Sequence, residues 1–480
     1  MRLFIITLLF HVSALTVCGQ NEMDYYRFAD TRTQASARVQ GMGGAFGALG
    51  ADLSCASINP AGLGRFSKTY GALSLNQESV FSNASFQNRT TTKANASLKI
   101  GSAGIVFTKD ISALANGFLY RQIGFGYNKI TSYESQMRYK GELYNSLLDV
   151  FCEQAAGVTT DQLSYVFPFT TSLAYETYAI DYNTSNGTYV PRLTAGNMIH
   201  DRKVNQKGGS GEWYSTYSAN YGNILYLGAT GFLRTVSYTS AIIHSETLLD
   251  TTGVSLLSFE YKENLKQTGA GVGLRIGSVY TPIPSISIGF SAQTPSRIRI
   301  KDVYTTDMTA THVDGIKKVP AGYLYKDSIR YKVLNPFKIT GSFAYINPRF
   351  GSLNFDIEYV DYSMGNIKGI GNNTYSYISE NNIIKNDFKT ALNYRLGGEF
   401  IATPNIMLRS GIFTNAALVN NIIGLTRANG ISVGFGYRKD NLKFDVGYSF
   451  SRGKYPYDAF AASHTAVKYS KHTISIGIGF

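Results

Sequence analysis

Residues 431–450 read ISVGFGYRKDNLKFDVGYSF, and the chain ends on KHTISIGIGF at 471–480. In the final stretch Ile474, Ile476, Ile478 and Phe480 share one face, while Thr473, Ser475, Gly477 and Gly479 share the other. The segment before it alternates Leu442, Phe444, Val446, Tyr448 and Phe450 with Lys443, Asp445, Gly447 and Ser449. Earlier still, Ile431, Val433, Phe435 and Tyr437 alternate with Ser432, Gly434, Gly436 and Arg438. Side chains of a strand project to alternate faces, so a period of two gives each strand one apolar and one polar face. Three such strands in succession describe a sheet between hydrocarbon and a polar lumen. The fold class is all-β, an antiparallel transmembrane β-barrel.

The connections alternate as well. Lys439-Asp440-Asn441, Thr403-Pro404, Asn347-Pro348-Arg349 and the Pro282/Pro284 stretch are tight turns. Between them stand long segments at 451–470, about 417–427, 363–387 and 299–334, read as loops. Short turns are periplasmic and long loops extracellular in outer-membrane barrels, which puts the C-terminus in the periplasm. Walking back along the chain gives fourteen strands, near 70–79, 92–108, 117–134, 212–220, 223–237, 256–279, 285–298, 335–347, 350–362, 388–402, 405–416, 428–438, 441–453 and 468–480. The apolar phase flips between Ile100 and Ala103, so Gly101-Ser102 is a bulge candidate; the competing assignment is two short strands with a turn, which would make the count odd. The long extracellular loop 135–211 contains an amphipathic stretch from Asn145 to Ser164, and Trp213 after it is an expected interfacial anchor.

Composition fits. Aromatic residues make up 13% and charged residues 16%, against about 25% charged in an ordinary soluble domain. The mean hydropathy of −0.10 is that of alternation, neither soluble nor helical-membrane. Arg2 followed by an apolar run and Val17-Cys18-Gly19 reads as a signal peptide over 1–19, with the mature chain starting near Gln20. The rival reading acylates Cys18, against the bulky Val17 before it. Of the mature cysteines, Cys55 and Cys152 either pair or remain small buried residues. The net charge of +13 suits anionic lipopolysaccharide, or is a solvated excess in loops and lumen. A hydrolase would need Ser, His and an acid in mutual reach. His200, His244, His312, His464 and His472 fall mostly in expected loops, without metal-ligand spacing. The chain therefore reads as no enzyme, with no metal, no cofactor and no nucleic-acid partner.

Between leader and barrel, residues 20–69 do not alternate. Ser36-Ala37-Arg38, Gly41-Met42-Gly43-Gly44-Ala45 and Asn59-Pro60-Ala61-Gly62-Leu63 are small and glycine-rich, as a compact plug inside a barrel would be. A phosphate loop is excluded, since Gly41-x-Gly43 lacks a third glycine in register and a strand before it. With Tyr394-Arg395-Leu396-Gly397-Gly398-Glu399, Leu408-Arg409-Ser410-Gly411 and the terminus from His472 to Phe480, these motifs resemble the FadL/TodX family of outer-membrane transporters for hydrophobic compounds, the Bacteroidetes-type members above all. The resemblance spans nearly the whole mature chain.

It implies a fourteen-stranded barrel over 70–480 with an N-terminal hatch over 20–69, in which Asn59, Pro60 and Ala61 match the family's hatch motif. It also implies passive uptake of long-chain fatty acids or related apolar molecules, with sideways release through a gap at an inward kink of an early strand. That strand would be the third, where Gly124 and Gly126 lack side chains on the lumen face; alternatively these glycines make room for the hatch. Asn59-Pro60 would equally open an ordinary turn. Asp356, Glu358, Arg395, Glu399 and Arg409 lie on neighbouring strands as a cross-strand ladder that fills the lumen, or one from which Arg395 or Arg409 meets a ligand carboxylate. The alternative function is a surface receptor for haem or another hydrophobic ligand. A monomer is expected, in contact with outer-membrane lipid and delivered by the barrel-assembly machinery through the strand ending at Phe480.

Overall fold

The computed structural model describes residues 22–29, 35–113, 117–193, 197–416, 428–458 and 464–480; the expected leader at 1–19 lies outside them. Fourteen wall strands alternate in direction. They are β1 (Tyr70–Phe86), β2 (Arg89–Asp110), β3 (Phe118–Ser132, continuing as Ser135–Leu143), β4 (Met198–Tyr221), β5 (Leu225–Leu248), β6 (Leu256–Ile283) and β7 (Ile286–Gln293, continuing as Ser296–His312). The rest are β8 (Lys326–Asn335, continuing as Lys338–Asn347), β9 (Gly351–Asp361), β10 (Thr390–Thr403), β11 (Ile406–Asn415), β12 (Ala428–Lys439), β13 (Leu442–Asp458) and β14 (His464–Gly479). Each pairs antiparallel with the next, and β14 pairs with β1 from Gly479↔Ala72 to Ala466↔Ser85. The ring is closed, so the wall has no free edge in hydrocarbon.

Lipid and lumen sort the side chains. On β6, Val272, Leu274, Ile276, Tyr280 and Ile283 face outward and exposed, while Gln267, Arg275 and Val279 are buried inside. Val272 to Ile283 covers roughly 25–30 Å for a strand tilted by about 40°, the height of a bilayer's apolar band. Trp213 stacks obliquely on Tyr127 with ring centres 5.2 Å apart at the outer margin. Tyr221, Tyr280, Tyr345 and Tyr437 are exposed at the periplasmic margin.

Above the band the strands continue with polar outer faces: Thr268, Lys266 and Asn264 on β6, and Ser237 and Thr239 on β5. The wall therefore stands well clear of the membrane, which corrects three expected loops. β13 runs to Asp458 and β14 begins at His464, which fills most of 451–470 with strand, and β7 and β8 occupy much of 299–334. Ser135–Leu143 pairs with Gln206–Met198, so the excursion expected at 135–211 narrows to 144–197. The bulge expected at Gly101-Ser102 is present, since Ser74 opposes Ser102, Leu75 opposes Ile100, and Gly101 is skipped.

Helices α1 (Glu22–Ala29), α2 (Ala37–Gly41) and α3 (Cys55–Ile58), with a 3₁₀ turn at Pro60–Arg65, lie inside the barrel. The outer insertion 144–197 carries α4 (Leu147–Gln154), α5 (Thr160–Val166) and α6 (Thr171–Glu176), and α7 (Ile378–Asp387) follows β9. Ser146 opens α4 through a reciprocal capping box with Asp149. Its apolar face, Leu147, Leu148, Phe151 and Cys152, is buried with Leu248, Leu256 and Phe259 of the wall. Cys55 and Cys152 are both free and buried. The first belongs to the plug and the second to the outer insertion, so the open question of a bridge closes on unpaired cysteines.

Candidate functional site: plug, wall and seam

Small residues let the plug sit directly on the wall. Asn59 caps the Pro60–Arg65 turn by accepting from the Ala61 N–H at 3.2 Å, with proline at the first helical position. Its amide nitrogen donates to the Gly47 carbonyl at 2.7 Å and to the Ser278 carbonyl of β6 at 3.1 Å. Ser218 of β4 donates to the Pro60 carbonyl at 2.7 Å. Behind the motif the wall itself is bare. A Cβ on Gly228 of β5 would stand 2.5 Å from the Ala61 nitrogen, and one on Gly277 of β6 would stand 3.0 Å from Pro60 Cδ. Ala61 is fully buried against Tyr226 and Val279.

Other plug atoms are tied right round the barrel. Arg275 of β6 donates to the Ala56 carbonyl at 2.7 Å, and Ser291 of β7 to the Ile58 carbonyl at 2.9 Å. The Phe46 N–H donates to Asp356 of β9 at 2.9 Å. Arg38 pairs with Glu399 of β10 at 3.0 Å, and Ser432 of β12 donates to the Gly41 carbonyl at 3.1 Å. Gln122 and Asn128 of β3 donate to the Phe66 carbonyl at 2.8 Å and to Ser57 at 3.0 Å. The Asn59-Pro60-Ala61 motif thus rests on β4 to β6, and the residues after it reach β3.

The third strand is irregular, though not at the expected glycines. Gly124 and Gly126 pair in register on both flanks, with Val106 and Gly104 of β2 and with Thr216 and Tyr214 of β4. Gly124 leaves room for Leu63 of the plug, and a Cβ there would stand 3.1 Å from Leu63 Cδ1. The register slips instead between Lys129 and Thr131, where Lys129, Ile130 and Thr131 are all buried and the alternation is lost. Just there the β2–β3 ladder ends, at Ser102↔Asn128. Above it, β2 from Arg89 to Ile100 pairs with β1 alone and β3 with β4 alone, among the described residues. Side chains bridge this seam: Lys99 meets Glu134, and Asn95 donates to Glu134 at 2.9 Å. Leu98 and Ile100 beside it are exposed, which puts its lower end at the outer leaflet.

Arg395 and Arg409 are engaged by protein carboxylates. Arg395 pairs with Glu358 at 3.1 Å, and Arg409 with Glu399 at 2.6 Å and Asp445 at 2.7 Å. This is the cross-strand ladder, lying at plug level with Gly44 packed against the Arg395 side chain. A second cluster went unread: Glu212 of β4 holds both Arg234 of β5, at 2.6 Å, and Arg275, at 3.2 Å, all buried. His200 and His244, expected in loops, lie on β4 and β5 and face Glu246 inside the wall. The absence of metal-ligand spacing inferred from those loops is corrected accordingly: the three side chains are grouped closely enough to hold an ion.

A closed fourteen-stranded barrel with its own N-terminal segment stitched into the lumen defines an outer-membrane transport protein. The chain belongs to the OMPP1/FadL/TodX family of outer membrane transport proteins, whose model matches residues 225–466, just over half of it. It is a protein of the outer membrane. No curated protein matches. Among solved structures it is similar to a Pseudomonas aeruginosa FadL homologue, with 13% identity, TM-score 0.58 and coverage of 93% of this chain and 98% of that one. It is also similar to the P. putida toluene transporter TodX, with 12% identity, TM-score 0.53 and coverage of 94% and 98%. At these identities the likeness is one of fold.

Proposed function

We propose that the protein admits hydrophobic small molecules, long-chain fatty acids or related apolar compounds, by passive diffusion and releases them sideways between β2 and β3. The observation that carries this reading is the ladder that stops at Ser102↔Asn128 beside outward-facing Leu98 and Ile100. A backbone seam bridged by side chains opens without breaking strand hydrogen bonds. An apolar solute is favoured in a protein interior by about 25 cal/mol per Å² of surface buried, and lateral exit spares it a return to water. Apolar clusters follow one another outward along the lumen, around Leu63 and Phe232, then Val236 and Ile300, then Leu256 and Phe259. In this reading residues 1–19 are removed on export, residues 20–69 act as the hatch, and the chain performs no catalysis.

The test is uptake of a labelled long-chain fatty acid by cells lacking their own transporter, comparing the full chain with a variant deleted over 21–63. Uptake above empty vector, altered by the deletion, is expected. No uptake by a folded, membrane-inserted protein would exclude these acids and favour a surface receptor. The seam gives a second prediction. Glu134→Ala removes the acceptor shared by Lys99, Asn95 and the Gly208 N–H, and initial uptake should rise several-fold with the barrel equally abundant.

A further inference from the structure

We propose that His200, His244 and Glu246 form a zinc-binding site that fixes the outer insertion to the barrel wall. His244 and Glu246 are two residues apart on β5 and therefore share its inner face. His200 stands directly opposite Glu246 on β4. Glu246 Oε1 lies 2.8 Å from His244 Nε2 and 3.4 Å from His200 Nδ1, and the three ligand atoms fall within 4.8 Å of one another. Tetrahedral zinc with ligand bonds of about 2.0–2.2 Å separates its donor atoms by roughly 3.4 Å, so shifts of about 1 Å seat the ion. Two imidazoles and a carboxylate make a borderline donor set that suits zinc.

Charge supports the assignment. All three residues are fully buried, on the part of the wall that stands above the membrane. Arg202, which stands near His244, is paired with Glu263 at 3.1 Å. Glu246 faces two imidazoles and two hydrogen-bond donors, with the Asp149 carboxylate of α4 also near. Imidazoles ligate metals in their neutral form, and a divalent cation would supply positive charge beside the buried carboxylate.

Hydrogen bonds to the carboxylate tie the site to the insertion. The Ser146 hydroxyl donates to Glu246 Oε2 at 2.5 Å, and the Leu147 N–H to Oε1 at 2.7 Å. The ligand carboxylate is thereby oriented by the first turn of α4, as metal-bound carboxylates commonly are. An ion at Glu246 holds the wall and α4 together, and its way in opens when α4 lifts.

The experiment uses detergent-solubilised full-length protein stripped with a chelator and then titrated with zinc. One zinc per chain is expected, with His200→Ala and His244→Ala each weakening binding more than about tenfold and His472→Ala leaving it unchanged. Cobalt should give a tetrahedral visible spectrum in the wild type only. Hydrogen exchange of α4 should slow on zinc addition in the wild type and not in the variants. If the variants fail to fold, anomalous diffraction at the zinc edge on wild-type crystals decides, with a peak among the three side chains expected. Zinc held no more tightly than in the variants, a peak elsewhere, or binding without slowed α4 exchange would each overturn the proposal.

Discussion

Glu212→Ala should lower the barrel's unfolding free energy by about 3–5 kcal/mol, the cost of removing one member of a buried ionic cluster. Glu212 is the shared acceptor of Arg234 and Arg275, and the three side chains are at most 2% exposed. Without it Arg234 has no carboxylate partner among the described residues, whereas Arg275 keeps the Ala56 carbonyl and Gln293. Charge rather than volume sets the effect. Glu212→Gln, which preserves shape and an acceptor oxygen, should still lose much of the stability. Urea unfolding from lipid vesicles measures both; a variant within about 0.5 kcal/mol of wild type, the range of an inert substitution, would show the cluster to be dispensable.

The second large effect is expected at a residue with no side chain. Gly228→Val drives a Cβ to within 2.5 Å of the Ala61 nitrogen. That backbone cannot retreat without breaking the bonds from Ser218 and Asn59 that position it. Overpacking of this kind costs about 1–3 kcal/mol, and here the strain falls on the seat of the plug. Single-channel conductance in planar bilayers should rise towards that of the 21–63 deletion, and trypsin should reach Arg65. Gly231→Val is the control, because its side chain would point into lipid with only Leu274 near, at 3.8 Å. Equal conductance for Gly228→Val and Gly231→Val would remove the motif's contact with β5 from the gating argument.

What could be read from the residues follows where the two solvents lie. β12 to β14 were legible because each carries isoleucine, phenylalanine and tyrosine towards lipid and serine, glycine and charge towards the lumen. The upper reach of β5 was not, because its polarity reverses: Ser237 and Thr239 face water while Val236 and Tyr238 face the lumen, against the phase that Leu227 and Leu233 set lower down. Loop bounds suffered for the same reason. Asn59-Pro60-Ala61 was readable as a turn-forming motif, yet nothing local says which strands it leans on. The signal lay elsewhere, in glycines at inward positions such as Gly228 and Gly277. His244-x-Glu246 has strand-face spacing in plain view, but His200 lies on another strand within a segment read as loop. Lumen charges declared a ladder, and only packing could show that Arg395 and Arg409 are already engaged.

The join between β1 and β14 limits how this architecture can be edited. Phe480 and Gly71 exchange backbone hydrogen bonds at 2.9 Å in both directions, and the ladder between the two strands is antiparallel throughout. That geometry exists only because one end of the wall runs outward and the other inward, a matter of parity. Cutting the chain before His464 would leave thirteen strands, with β13 and β1 pointing the same way and able to meet only through a parallel ladder, slightly less stable per residue. A truncation of one strand therefore loses the antiparallel seam, and until a parallel one forms in its place its borders stay open to any neighbouring strand. The antiparallel closure survives a change of length only in hairpins, two strands at a time.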